Sequence, residues 1–415
     1  MREARVVLGD SAILVGRLVF ESDGRRAHST FLYDPSWLAY PRGFDLSPHM
    51  PRSASPYHAS SGGRESRKRD VLAGPFADTA PDSWGRKLMR RVLGEGASEF
   101  DFLIACDDPS RQGALRFLDQ DGKLFPSVSP PAPRNTDLEE VRRIAARFER
   151  DPTGAEQEAR ELAGAAGSLG GARPKASLRD GQDLWLAKFT SIDDAWPVER
   201  LEVGILGLAR QVGLRAPDAR LEFAGSDHPV ALIRRFDRRK GGRVPYISAR
   251  TALGRVGAAT GTYTDIADAI RMISARPAED LREIWLRMAF GILVTNTDDH
   301  LKNHGFIYAG NNLWRLSPIF DVNPQPRRHP QMETGISPIH GHEPSIEAAI
   351  DAAPLFDLEP AEASRLAREM GNALSGSWRE ALRRQGLSGT ALAACAPAFE
   401  HDRLEGALSL RGASA

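Results

Sequence analysis

Cysteine is nearly missing from this chain: Cys106 and Cys395 are the only two in 415 residues. So few thiols, far apart, exclude a disulfide scaffold and a thiolate metal centre. Both read as small buried hydrophobes in a reducing compartment. Net charge is missing as well, with 55 Lys+Arg against 55 Asp+Glu, so no bulk attraction to nucleic acid or to a membrane follows. No apolar run reaches membrane-spanning length, and Met1-Arg-Glu-Ala-Arg leads into a strand-like run instead of a signal-peptide core. The expectation is a cytoplasmic protein with no membrane contact. Internal repeats are absent too. The length and an apolar content of 41% are enough for a substantial core in more than one domain.

What is present is concentrated in two short segments, Asn296-Thr-Asp-Asp-His-Leu-Lys-Asn303 and Ser317-Pro-Ile-Phe-Asp321. Asp298 and Asn303 have the Asp-x-x-x-x-Asn spacing of a kinase catalytic loop, and Asp321 follows eighteen residues later. Phosphoryl transfer needs such groups: a carboxylate to take the proton of the attacking hydroxyl, and an amide oxygen with a second carboxylate to hold Mg²⁺ against a triphosphate. Upstream, Leu281–Val294 is apolar on nearly every face and predicts a deeply buried helix. Charges emerging from such a helix must find partners or do chemistry.

Along the chain, residues 4–8, 12–20 and 31–33 read as strands, and 47–69 as a surface loop. Residues 82–93 read as an amphipathic helix capped by Asp82 or Ser83, and 126–133 as a proline-rich linker. Helical patterns dominate beyond 262. Gly164–Lys175 is rich in small residues that let backbone N–H groups approach phosphate. It is neither a Walker A loop nor Gly-x-Gly-x-x-Gly, and a flexible linker explains its composition equally well. Lys188 stands alone in the apolar strand Leu184–Phe189. It is either an edge-strand surface lysine or the strand lysine that neutralises phosphate charge. Glu199 and Glu202 lie on a helix from 198 to 210 and are candidates to pair with it, or solvated helix charges. The basic cluster between Arg234 and Arg243 reads first as a solvated hairpin and second as a contact to phosphate or an acidic substrate.

The two motifs together resemble those of HipA-type serine/threonine kinases, toxins of bacterial type II toxin–antitoxin pairs. Four further segments fall in family order between about residues 70 and 325. The resemblance implies an α+β, bilobal protein-kinase-like fold, with a β-rich N-lobe (about 106–240), a helical C-lobe (about 241–415) and a small β-rich N-terminal subdomain (1–105) expected to bind a partner. It implies ATP and Mg²⁺ as cofactors, with Asp298 as general base and Asn303 and Asp321 as metal ligands. Gly170, Gly171, Ala172, Arg173 and Lys175 would lie against the phosphates with Lys188, and Glu202 would be its partner. The backbone of Arg234, Arg235 and Phe236 would face adenine and Asp237 the ribose, while His300 and Lys302 would touch phosphate or the loop's own backbone. Asp299 stands where a small residue is expected and would add charge near the metal. Val322-Asn323 follows Asp321 in place of the Phe-Gly of ordinary protein kinases. Ser168 matches the family's autophosphorylated serine; once modified it would carry about −1.5 to −2 charges and could pair with Arg173, Lys175 or Arg235. The implied partners are a helix-turn-helix antitoxin (HipB-type), through it operator DNA, and a protein substrate in translation such as an aminoacyl-tRNA synthetase. A small-molecule or lipid kinase, or a catalytically silent antitoxin-binding scaffold, would use the same framework.

Overall fold

The computed structural model describes residues 1–23, 26–61, 71–128, 132–163, 170–194, 197–239, 242–257, 260–325 and 330–410. The fold is mixed α/β and forms two compact units. The first comprises Met1–Ile192, Arg234–Ala259 and Ile307–Asn312, the second Asp193–Ile233, Thr260–Phe306 and Leu313–Ala415.

In the first unit, strands β1 (Arg2–Leu8), β2 (Ile13–Ser22), β3 (Ala27–Tyr33), β4 (Tyr57–Ser61) and β5 (Leu115–Leu118) form one sheet of order β4-β3-β2-β1-β5. Alternating inward residues such as Val6, Leu18 and Phe31 bury one face, where Phe31 packs on Phe76 at 4.9 Å between ring centroids. No seam falls at residue 105, because β5 pairs antiparallel with β1 (Val6 opposite Phe117). Four main helices follow the early strands: α1 (Ser83–Leu93), α2 (Glu99–Ala105), α3 (Leu138–Arg150) and α4 (Glu156–Ala163). Asp82 caps α1 by accepting from Ser83 N, the cap its sequence predicts. Strands β6 (Lys175–Asp180) and β7 (Asp183–Phe189) make an antiparallel hairpin that sets Lys175 opposite Lys188.

The second unit opens with helix α5 (Val198–Gln211) and the hairpin β8 (Ala219–Glu222) and β9 (Val230–Arg234). Helix α6 (Tyr263–Ile273) starts at a capping box between Thr262 and Asp265. Helix α7 (Pro277–Leu293) has Pro at its first position and Glu279 and Asp280 in its first turn, all favourable at a helix N-terminus. Beyond it come α8 (Ile346–Asp351), α9 (Pro360–Arg384), α10 (Gly389–Cys395) and α11 (Asp402–Ser409). A Cβ on Gly204 would sit 2.6 Å from Leu382 Cδ2, so this glycine lets α5 and α9 pack closely. Trp285 is fully buried and donates to Ala349 O at 2.8 Å, and Trp378 stacks on Phe399 at 4.7 Å.

Helix α7 is less uniformly apolar than its sequence suggests, because Asp280, Glu283 and Arg287 all point into the core. Arg287 donates to Glu283 Oε1 at 2.7 Å and to Ser317 O at 2.5 Å. Asp280 accepts from Ser274 Oγ at 2.7 Å, Arg315 Nε at 2.9 Å and Leu316 N at 3.1 Å, while Arg215 donates to it at 2.8 Å. Buried charges survive only when paired and hydrogen-bonded in this way. The network grips residues 315–319, with Ile319 N donating to Arg215 O at 2.7 Å, and so aims the segment that carries Asp321.

Candidate active site

The catalytic-loop candidates all lie in the second unit, where α7 runs out. Thr295 adopts a left-handed backbone (φ 56°), uncommon for a β-branched residue and therefore held by its surroundings. Its hydroxyl donates to Ala398 O at 3.1 Å and accepts from Arg403 Nη2 at 2.9 Å. Three backbone N–H groups beyond Asp321 then bond back to the loop: Gln325 N to Thr295 O at 2.8 Å, Glu333 N to Thr297 O at 3.0 Å, and Asn323 N to Asn296 Oδ1 at 3.1 Å.

Asp298 is exposed on this loop. Its carboxyl is held above the usual carboxylate range by partial burial and by the negative charges of Asp321, Glu333 and Asp299, against the opposing pull of His300. Asn303 is buried, and its side-chain N–H donates to Asp298 O at 2.9 Å, which closes the loop between them. That bond uses the amide nitrogen and leaves ligation to the oxygen, the end a hard cation takes. Asp321, also left-handed (φ 57°), accepts from Asn323 Nδ2 at 3.0 Å. Asn323, in place of glycine, thus anchors the carboxylate two residues before it.

His300 Nδ1 is buried with no hydrogen-bond partner among the described residues, which suits a group completed by a ligand. Among the described residues no cluster of three or more His, Cys, Asp or Glu could hold a metal unaided. One amide oxygen and one carboxylate match Mg²⁺ instead, which draws its remaining ligands from phosphate and water.

Asp299 corrects an expectation. Its carboxylate turns into the core, where Tyr263 OH donates to one oxygen and His304 Nε2 lies 3.2 Å from the other, and its charge reaches the site only through Asp298. Burial raises its pKa, but His304 and Tyr263 outweigh that and the carboxyl sits below its ordinary value. Tyr263 is 36 positions upstream, so no local pattern announces the pair; His304, directly after Asn303, is the one nearby signal of it.

The root of the loop carries a pH dependence. His401 caps α11, with Nδ1 accepting from Leu404 N at 3.2 Å and Nε2 donating to Ala398 O at 3.2 Å. Only the neutral ring can do both. Burial and Arg403 lower its pKa to about 4. Its contribution is complete above the unfolded value of about 6.5 and declines as pH falls from there toward 4, because the unfolded chain takes up the proton first. Denaturant midpoints should therefore drop over that window, and a His401→Gln variant should lose this part of the slope.

The first unit carries the phosphate-loop, strand-lysine and adenine-segment candidates. Lys188 and Lys175 are both buried, which sets aside the edge-strand reading of Lys188. Opposite each other in the hairpin register, they place two cationic side chains on one face. Residues 170–175 are strapped to α1: Gly171 N donates to Asp82 Oδ2 at 3.3 Å, Trp84 N to Gly171 O at 3.2 Å, and Trp84 Nε1 to Lys175 O at 3.0 Å. Gly171 has φ 95°, a conformation suited to glycine. Ala172 and Arg173 follow in the same segment, and Gly170 O accepts from Lys175 Nζ. Ser168 lies outside the described residues. Glu202 and Glu199 are buried on α5 in the second unit and are not solvated helix charges.

At the expected adenine-facing segment the structure differs from expectation. Arg235 N already donates to Leu184 O at 3.0 Å, so that amide is not offered to a base. Its guanidinium binds Ser110 O at 2.6 Å, Ser177 Oγ at 2.9 Å and Asp237 at 2.6 Å. Asp237 is only 3% exposed and also accepts from Gly113 N at 2.7 Å and Arg238 at 2.8 Å. Burial alone would raise its pKa, but Arg235 and Arg238 drive it far below the usual range. This carboxylate clamps protein to protein and does not face a ribose. Phe236 is half-buried and packs near Tyr246, and Arg234 is exposed and pairs with Asp183 at 2.9 Å.

Two family models match this chain, that of the HipA-like C-terminal domain over residues 167–378 and that of the HipA N-terminal domain over 4–118. The chain belongs to the HipA family. A protein of Sinorhizobium fredii named "Putative kinase Y4mE" is 26% identical over 332 residues, 74% of this chain and 75% of that one. A "Putative kinase" of Haemophilus influenzae is 29% identical over 142 residues, 30% of this chain and 41% of that one. Among solved structures, HipA of Shewanella oneidensis MR-1, determined with HipB and its operator DNA, aligns with a TM-score of 0.69 at 16% identity. The alignment covers 98% of this chain and 100% of that one, a likeness of fold. No described helix is long and apolar enough to cross a membrane.

Proposed function

We propose that this protein is a Mg-ATP-dependent serine/threonine protein kinase and the toxin of a toxin–antitoxin pair. The observation that carries the reading is the loop in which Asn303 is bonded to Asp298 O, with Asp298 held more basic than an ordinary aspartate and close enough to Asp321 to feel its charge. Bound Mg-ATP would supply the transferable phosphoryl group and the charge that neutralises it. Asp298 orients the acceptor hydroxyl and takes its proton. The Asn303 and Asp321 oxygens hold the cation, and His300 Nδ1 meets a phosphate oxygen. Lys175, Lys188 and the backbone of Gly170 to Arg173 bind phosphate. Adenine contact is confined to backbone groups of Arg234 to Phe236 other than the Arg235 N–H.

Family membership supports a HipB-type helix-turn-helix antitoxin as partner, and the Shewanella complex supports operator DNA reached through it. The N-terminal module, which carries none of the phosphate or metal groups, is assigned to partner binding. A protein of the translation machinery, such as an aminoacyl-tRNA synthetase, is the proposed substrate, in the cytoplasm. Ser168 is the proposed site of autophosphorylation.

Incubating the full chain with Mg²⁺ and ATP should place phosphate on Ser168, detected by mass spectrometry. Asp321→Ala should show none, and calorimetry should find its ATP binding insensitive to Mg²⁺. A parent chain that neither modifies itself nor turns over ATP would end the kinase reading.

A further inference from the structure

A cavity of about 590 Å³ opens in the first unit, away from the lysine pair of the β6–β7 hairpin. It lies at the turn end, beside Arg179, Gly181, Gln182 and Asp183. The Lys175–Lys188 pair is five residue steps away along the strands, roughly 17 Å at ~3.3 Å per residue.

Among the described residues the lining carries six arginines and no lysine. Arg116, Arg179, Arg234, Arg238, Arg239 and Arg243 there meet three carboxylates, Asp10, Asp108 and Asp183, an excess of three positive charges among the described residues. Each carboxylate is already engaged. Asp10 takes Arg243 at 3.1 Å, Asp108 takes Arg116 at 2.9 Å and Arg243 at 3.0 Å, and Asp183 takes Arg234 at 2.9 Å. Arg238 turns behind the cavity to Asp237 at 2.8 Å. Donors remain. The exposed Arg239 side chain makes no hydrogen bond or ion pair among the described residues. Arg179 uses Nε on Ala132 O at 3.1 Å but forms no ion pair among the described residues. Arg243, 6% exposed, has its Nη1 buried without an acceptor. Burial and neighbouring guanidinium groups depress the pKa of Arg243, a sign that the crowding is costly.

We propose that this cavity is a binding site for a small molecule bearing at least two phosphate groups, separate from the proposed nucleotide site. Its volume is that of a small-molecule site. Planar guanidinium forks match phosphate oxygens two at a time, which ammonium groups do not. A bound polyphosphate would neutralise the charge excess and give Arg243 Nη1 its acceptor. It would also join the arginines at 234–243 to the β6–β7 turn, so its occupancy would be felt along the strand that carries Lys188.

Calorimetry on the full chain, with inorganic tripolyphosphate as probe and orthophosphate for comparison, tests this. Tripolyphosphate should bind more tightly than orthophosphate and weaken with added salt. The Arg179→Gln/Arg239→Gln double variant, altered at two exposed positions, should bind it at least about tenfold more weakly while melting at the parent temperature. Arg243→Lys, which keeps the charge but removes the fork, should also weaken it. Arg384→Gln, at an exposed arginine of α9, should leave tripolyphosphate binding at the parent level. The proposal falls if the double variant binds as the parent does, if Arg384→Gln weakens binding as much as the double variant, or if an oligoglutamate peptide binds more tightly than tripolyphosphate. None of these readings involves turnover, so failure of the kinase assignment would leave the test intact.

Discussion

An Asp298→Asn variant is expected to bind nucleotide much as the parent does and to transfer phosphoryl groups about 10²–10⁴-fold more slowly. Asparagine keeps the size and the exposed position of the side chain but cannot accept the hydroxyl proton. The loop should survive the change, because the bond that closes it runs from Asn303 to the backbone carbonyl of Asp298 and not to its carboxylate. Loss should therefore appear in kcat with little change in nucleotide affinity, as for a group that acts on the chemical step. In the parent, activity should fall as acid protonates Asp298, at a pH above that of an ordinary aspartate because its carboxyl is shifted upward. The variant should lack that acid limb. Steady-state kinetics across pH, with ATP and the modified serine as readout, checks both statements, and unchanged turnover would remove Asp298 from the chemistry.

The second large effect is on stability. Replacing Arg287 by Met should cost on the order of 3–5 kcal/mol, the usual penalty for leaving one member of a buried ion pair alone. Arg287 is almost completely buried, and Glu283 would lose its shortest partner while Ser317 O lost its donor. The double replacement Arg287→Met/Glu283→Leu should recover part of the loss, since a matched apolar pair avoids the stranded carboxylate. Urea denaturation of the single and double variants measures the coupling. If the single variant were as stable as the parent, the network would be decoration and not support. Because the same arginine grips Ser317, the single variant should also lose Mg²⁺ response at Asp321 even where it remains folded.

What the residues disclose by themselves is local. Asp298, Asn303 and Asp321 stand at a spacing that is visible in the bare chain, and the helices carrying Glu202 and leading into Asn296 show their apolar spacing directly. What stays hidden is tertiary. Asp280, Glu283 and Arg287 lie at helical spacing on α7, where charges ordinarily read as a solvated face. Their burial is decided by Arg215 and Arg315, which are distant in the chain. The basic segment after residue 234 reads as a solvated hairpin, yet Arg235 and Asp237 are buried in it through contacts with Ser110 and Gly113. Asp299 reads as an extra charge beside a metal because its partner Tyr263 arrives from another helix. Spacing finds groups that act together over a few residues; it is blind to which charges the core will absorb.

The anchoring of Thr295 to Ala398 and Arg403 has a bearing on biosynthesis. Translation delivers residue 295 more than a hundred codons before the residues that fix its unusual backbone. While the chain is still on the ribosome, the root of the catalytic loop lacks its last two restraints, and a message broken ahead of codon 398 yields a product that never receives them. For a protein proposed to act against translation, this order delays the fully anchored loop until residues 398 and 403 have been made.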